Sequence, residues 1–274
     1  MLKDITLGQY FTGNSPLHRL DPRTKIIMVL IYVVTVFVAK NLFSLVFLLM
    51  TALVLVALSG ISFKIVLKSV KPVMILIIFT ALINLFMTTS EGEPLVRLGF
   101  IKIYEKGIIN AAFMIVRILS LIIGTSVLLT YTTSPITLTD GIERLLKPLK
   151  KLHVPVHEFA MMMTIALRFI PTLLEETDKI INAQKARGAG FDSKGLLNKA
   201  KAFLPILIPL FISAFRRADE LAIAMECRCY RGDEGRTRMK VLKYTSLDTV
   251  SYIFALLFIA AVIALNFIPT SLTL

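Results

Sequence analysis

The chain has 274 residues, 56% of them hydrophobic, with a mean hydropathy of +0.77 and a formal net charge of +13. The apolar residues fall in long unbroken blocks, which excludes an ordinary soluble domain and marks an integral membrane protein. The positive balance then reads as lysines and arginines that hold cytoplasmic loops inside; no basic patch interleaved with aromatics speaks for nucleic acid.

Residues 1–25 are polar and lack both an apolar stretch and a small-residue cleavage site, so they read as a cytoplasmic N-terminal segment and not as a signal peptide. Turn signals stand at Gly13-Asn14 and Ser15-Pro16, and Asp21-Pro22 reads as an N-cap followed by proline in the first helical turn. Ile26 to Ala39 is apolar, Lys40-Asn41 interrupts, and Leu42 to Phe63 is apolar again. The first run is shorter than the roughly 17–25 residues that a span needs. The expectation is a tight two-span hairpin whose Arg23, Lys25 and Lys40 snorkel to the interfaces; a partly re-entrant pair is the other reading.

Lys64, Lys68 and Lys71 form a basic connection, which belongs in the cytoplasm, and Pro72 opens a third span over Val73 to Met87. From Thr88 to Lys106, Glu91, Glu93 and Glu105 balance Arg97, Lys102 and Lys106, which suits the outside. A fourth span, Gly107 to Thr130, returns inward and completes the membrane region of residues 26–130. Tyr131 to Tyr244 carries nineteen lysines and arginines against twelve acids, which places a domain of residues 131–245 inside. Val250 to Phe267 makes a fifth span within residues 246–274 and ends at Pro269. The predicted fold is therefore an all-α integral membrane protein of about five transmembrane helices, plus a cytoplasmic or interfacial domain of one short and two long amphipathic helices. Its N-terminus lies inside and its C-terminus outside.

Within that domain, Leu138 to Leu152 is a short basic amphipathic helix with Lys147, Lys150 and Lys151, broken or kinked at Pro148. The long helices follow between Phe159 and Gly232. On the first, Ala166, Phe169, Ile170, Leu173, Leu174, Ile180 and Ile181 share one face and Glu175, Glu176 and Lys179 lie opposite. On the second, Phe211, Ala214, Phe215, Ala218, Leu221, Ala222 and Met225 share a face and Arg216, Arg217 and Glu220 lie away from it. Pro171, Pro205 and Pro209 predict bends. Ala214, Ala218 and Ala222 recur at every fourth residue, a stripe through which another helix can approach closely, and the two long helices are expected to cross there.

Catalytic signals are missing. No G-x-x-x-x-G-K-[ST] loop occurs, so ATP, if it drives this protein, is bound by another subunit. Arg117, with Asn84 and Asn110 as candidate polar neighbours, is the ionisable residue deep in a span and reads as a structural hydrogen-bonding or snorkelling residue. The spans hold no buried carboxylate of the kind a proton-coupled carrier wants. His153 and His157 have helical spacing but flank Pro155 without an H-E-x-x-H, and Cys227 and Cys229 lack further zinc ligands, so no metal site is expected. A reduced thiol pair is expected instead.

Each long helix ends in a basic tip near glycine, Ala186-Arg187-Gly188 and Cys227-Arg228-Cys229, the latter shortly before Gly232. Helix-capping chemistry alone accounts for Arg187-Gly188. The repetition points further, because a bidentate guanidinium suits a carboxylate-lined groove on a partner. The main rival reading is a scaffold whose tips bind anionic lipid headgroups; a second is an independent secondary carrier, which would take up its substrate through this chain alone.

Three stretches, SPLHRLDPRTKI (Ser15 to Ile26), LRFIPTLLEETDKIINAQKARG (Leu167 to Gly188) and RRADELAIAMECRCYRG (Arg216 to Gly232), carry a resemblance that covers nearly the whole chain. The chain resembles the transmembrane T component of energy-coupling factor (ECF) transporters. The resemblance implies a non-catalytic, multi-pass subunit of a bacterial or archaeal cell membrane. It implies two cytoplasmic ABC-type ATPase subunits that carry the ATP and Mg, and a small membrane-embedded S component that binds a vitamin or another micronutrient. The docking motifs would be Ala186, Arg187 and Gly188, and Cys227, Arg228 and Cys229, the second departing from the family's usual Ala-Arg-Gly; Arg231-Gly232 stands close by. Met161, Met162, Met163, Phe211, Ala214, Phe215, Ala218 and Ala222 would form the crossing and the platform for the S component. Methionines that repack easily suit a platform shared among several such partners.

Overall fold

A computed structural model describes residues 10–88, 96–98, 101–188, 196–232 and 241–268, with the side chains of 96–98, 101–102 and 196–202 left aside. The chain divides into two compact units, one from Leu7–Leu145 with Leu242–Leu274, the other from Leu146–Val241. The acidic residues Glu91 and Glu93, and Pro269 at the expected end of the fifth span, lie outside the described residues.

The first unit begins with a one-turn helix α1 (Pro16–Arg19) and α2 (Pro22–Val38), which starts as the sequence implies: the Asp21 side chain accepts from the Arg23 N–H and Pro22 fills the first turn. Then come α3 (Leu42–Ser59), α4 (Phe63–Val70), a 3-10 turn (Lys71–Val73) and α5 (Met74–Met87). A small antiparallel hairpin pairs β1 (Val96–Leu98) with β2 (Ile101–Ile103). α6 (Glu105–Thr125) widens into a π-helical turn (Ser126–Thr130) and is followed by α7 (Pro135–Leu146); after the second unit the chain returns as α10 (Ser246–Asn266).

Leu42–Ser59, Phe63–Met87, Glu105–Thr130 and Ser246–Asn266 are long and apolar enough to cross a membrane. α2, with 17 residues, reaches only about 25 Å against a hydrocarbon core of about 30 Å. Two expectations change here. The basic connection is not a loop: Lys64 and Lys68 sit on α4, whose Val66 and Val70 are buried, so the third span begins at Phe63 and runs through Pro72 by way of the 3-10 turn. Lys25 does not snorkel either; it is 2% exposed, and its ammonium donates to Thr132 O at 2.8 Å and Thr133 Oγ1 at 3.1 Å. A carbonyl and a hydroxyl distant in sequence replace the water it would otherwise seek.

α6 packs against α2, α3, α4 and α5. The core around it is dry: Val36, Leu45, Leu48, Ala52, Val66, Val127, Tyr131 and Val262 are fully buried. Tyr32 stacks on Phe258 and donates to Ser120 O at 2.9 Å, and it lies so close to Gly124 that a Cβ there would stand 2.3 Å from its ring. At the far end of α2, Arg117 donates to Ala39 O at 2.7 Å, which gives that intramembrane arginine the hydrogen-bonding role expected of it. Asn266 donates to Val38 O, and Asn41 donates to the Leu265, Asn266 and Ile268 carbonyls. Together these side chains satisfy carbonyls at the ends of α2 and α10 that the helices themselves leave without a partner.

In the second unit, a 3-10 stretch (Lys147–Leu152) holds Pro148, so the short basic helix of the sequence reading breaks where that proline predicts. α8 (Val156–Ala186) has 31 residues and α9 (Leu196–Cys227) has 32. Both are longer than the stretches picked out by periodicity: α8 begins at Val156 and contains Pro171, and α9 begins at Leu196 because helix continues through Pro205 and Pro209.

Candidate functional site: the paired helices and their arginine tips

Three contacts set how α8 and α9 lie together. Gln184 donates to Pro205 O at 3.3 Å; Glu176 accepts from Ser213 Oγ and from Arg217 at 2.9 Å; Tyr230 Oη donates to Met161 Sδ at 2.9 Å. Positions rise along α8 as they fall along α9, so the helices run antiparallel over most of their length. The expected meeting of the two helices is a side-by-side pairing with this register.

Antiparallel pairing puts the two basic tips at opposite ends. Arg187 ends α8 beside the start of α9, and Arg228 ends α9 beside the start of α8. At 1.5 Å per residue the tips are separated by roughly 35–40 Å.

The two tips are built alike. Arg187 is the C-cap of α8; its N–H reaches Ala183 O and Gln184 O, and Gly188, at φ 84°, donates to Lys185 O at 3.0 Å. At the end of α9, Arg228 holds the same place. Cys229 takes the left-handed conformation at φ 54° and donates to Glu226 O at 2.8 Å, while Tyr230 donates to Met225 O at 3.1 Å. That pair of bonds is a Schellman motif. Cys229 therefore stands where Gly188 stands, in a conformation that disfavours a Cβ. Both arginines are exposed, and Cys227 and Cys229 are free thiols on the surface beside Arg228. Arg231 is also exposed, but it lies beyond the end of α9, before the turn at Gly232.

The expected platform separates into two groups. Met161, Ala214, Ala218 and Ala222 line a groove of about 600 Å³ between the helices, with Phe169, Leu173 and Met225 among its walls. The alanine stripe thus forms part of an open groove. Met162, Met163, Phe211 and Phe215 are not among the groove's lining residues and are 52–66% exposed; Phe211 and Phe215 meet edge to face at 4.8 Å.

The Glu176–Ser213–Arg217 clamp was not visible in the sequence pattern, which set Glu176 and Arg217 on faces turned away from the apolar stripes. Here they face each other across the pair. The Ser213 hydroxyl, followed by the Arg217 guanidinium, holds the Glu176 carboxyl below the usual carboxylate range, against the opposing effect of partial burial. One available signal is that Arg217 follows Ala214 by three and precedes Leu221 by four, which sets it at the rim of the apolar face.

Comparison with known proteins gives one coherent picture. Residues 13–240 match the CbiQ family, described as cobalt transport protein. The chain is 55% identical over 259 residues to the energy-coupling factor transporter transmembrane protein EcfT of Clostridium kluyveri, covering 94% of this chain and 96% of that one. Against the EcfT protein of Ruminiclostridium cellulolyticum the figures are 53% over 268 residues, 98% and 99%. Against that of Bacillus subtilis they are 47% over 263 residues, 96% and 98%.

Proposed function

Because the chain belongs to the CbiQ family and is the transmembrane T component of an energy-coupling factor transporter, we propose that Arg187 and Arg228 each dock on one of two cytoplasmic ATPase subunits. ATP and Mg are bound by those subunits, and this chain carries force and no chemistry. The exposed apolar residues Met162, Met163, Phe211 and Phe215, together with the groove lined by Met161, Ala214, Ala218 and Ala222, receive a small S component that holds a vitamin or another micronutrient. A platform rich in methionine suits several such partners in turn. The surplus of lysine and arginine between Tyr131 and Tyr244 supports a cytoplasmic position for the pair, with the N-terminus inside and the C-terminus outside.

The observation that carries this reading is the repeated tip: one exposed arginine at the C-cap of each antiparallel helix, roughly 35–40 Å apart. Two separated cationic forks at the ends of a stiff pair suit two separate carboxylate-lined grooves. When the ATPases move on binding and hydrolysing ATP, the pair would convey the displacement to the S component. The S component would then reorient and release its cargo inside.

The test is the double variant Arg187→Lys/Arg228→Lys, which keeps the charge and removes the fork. Retention of the ATPase subunits is expected to weaken about tenfold, while flotation with anionic phosphatidylglycerol vesicles stays unchanged. Undiminished retention of the ATPases would mean that charge alone serves. That result would favour a lipid-binding scaffold.

A further inference from the structure

The stretch SPLHRLDPRTKI is the part of the sequence signature that the docking account leaves unused. Its residues converge on the turn that precedes α7, the last helix before the chain leaves the membrane unit, and on the place where the chain re-enters that unit. The coupling pair is joined to that unit at 145/146 and at 241/242. On the outgoing side, Lys25 Nζ donates to Thr132 O at 2.8 Å and Thr133 Oγ1 at 3.1 Å, and Phe11 N donates to Tyr131 O at 3.0 Å. On the returning side, Asp21 N donates to Asp248 Oδ1 at 2.9 Å, Asp21 pairs with Arg23 at 2.8 Å, and the Arg23 guanidinium lies 3.9 Å over the Tyr244 ring. Asp248 in turn accepts from Thr245 N and Oγ1. The two sides also meet directly, where Arg144 reaches Leu242 O at 3.5 Å.

Two features set this cluster apart from ordinary packing. It holds polar groups under cover: Asp21, Lys25, Thr132, Thr133 and Asp248 are all under 9% exposed. A buried ammonium carries a desolvation cost that an apolar side chain of similar length would avoid, so stability alone does not call for lysine here. Moreover, Thr132 and Thr133 directly follow the π-helical turn Ser126–Thr130 and Tyr131. π turns are irregular, and their occurrence at functional positions in helices is frequent.

We propose that Asp21, Arg23 and Lys25 are positioning residues for energy coupling. They fasten the chain ahead of α7 and the chain that returns into α10 to one short segment, so that displacement delivered from the arginine tips to these two ends reaches α6 and α10. This rests on the reading of the arginine tips as ATPase docking points. A rigid helix delivers displacement only if its connection to the load is fixed, and three residues supply that fixed point on both sides.

The test uses the assembled complex with its co-purified ATPase subunits and follows amide hydrogen exchange with and without MgATP, in wild type, Lys25→Met and Tyr244→Ala. Tyr244 is 55% exposed, so its replacement leaves the core untouched. In wild type, nucleotide is expected to change exchange both in residues 156–227 and in residues 126–133 and 242–250. In Lys25→Met the change in 156–227 persists while that in 126–133 falls at least about fivefold; in Tyr244→Ala the loss falls on 242–250. Nucleotide responses equal to wild type in all segments of both variants overturn the proposal. So does failure of both variants to assemble, which assigns the cluster to folding alone. A wild type that retains no ATPase subunits, or shows no response in 156–227, instead refutes the docking reading on which the proposal stands.

Discussion

In the membrane unit α6 is enclosed by α2, α3, α4 and α5 and its neighbours bury whole side chains such as Tyr131, Leu45 and Leu48. In the coupling pair only Val156, Ala160 and Ile206 are buried among the described residues, while Phe203, Leu207, Phe211, Phe215 and Ile223 are each more than half exposed. The contrast separates two ways of building with helices. Much of the exposed apolar surface of the first unit lies on its spans and has lipid as its solvent, whereas its interior is complete. The pair has little interior of its own; one polar clamp and the contacts at its two ends hold it, and much of its apolar surface is exposed.

The largest effect that sharpens this contrast is expected inside the membrane unit. Gly124→Ala places a Cβ 2.3 Å from the Tyr32 ring, an overpacking that should destabilise the solubilised protein by about 1–3 kcal/mol. A melting temperature equal to wild type would show that the approach of α2 to α6 is looser than described. In the pair, Glu176→Ala removes the bonds from Ser213 and Arg217. The cost should be about 1 kcal/mol, at the low end for charged hydrogen bonds, because both side chains keep contact with water. The measurement is amide exchange along residues 170–185 and 207–220, which should quicken in the variant.

A change of similar size goes the other way. Cys229→Gly relieves a left-handed non-glycine residue and should firm the tip of α9 by about 1 kcal/mol, seen as slower exchange at Arg228 to Tyr230. The last prediction is one of pH. The folded-state carboxyl of Glu176 titrates below its unfolded value, so its contribution is complete above that value, about 4.3, and is lost as pH falls through the lowered folded one. Pairing of α8 and α9 should therefore hold from neutral pH down to about pH 5 and loosen only in stronger acid. Loosening already near pH 6 would contradict the assignment.

What the sequence disclosed depended on how local the cause was. The N-cap at Asp21-Pro22, the break at Pro148 and the glycine after Arg187 are written within a few residues, and each is found as read. The equivalence of Cys229 with Gly188 was hidden, because a cysteine in the left-handed region gives no signal in composition. Lys25 was assigned to the interface because its closest partners, Thr132 and Thr133, lie more than a hundred residues away in sequence. Glu176 and Arg217 looked like solvent-facing charges for the same reason, as each is satisfied by the other helix. The early start of α9 was obscured by Pro205 and Pro209, whose local preference is overridden in a helix that continues through both.

The central claim is that the two arginines hold the ATPases. Its most direct test is co-purification of the detergent-solubilised wild type beside Arg187→Glu/Arg228→Glu, with every retained protein identified. Wild type should bring down ATP-binding subunits and a small membrane protein, and the double variant should keep the small membrane protein while losing the ATPases. ATPases retained equally by both proteins, or a wild type that comes down alone, would contradict the account.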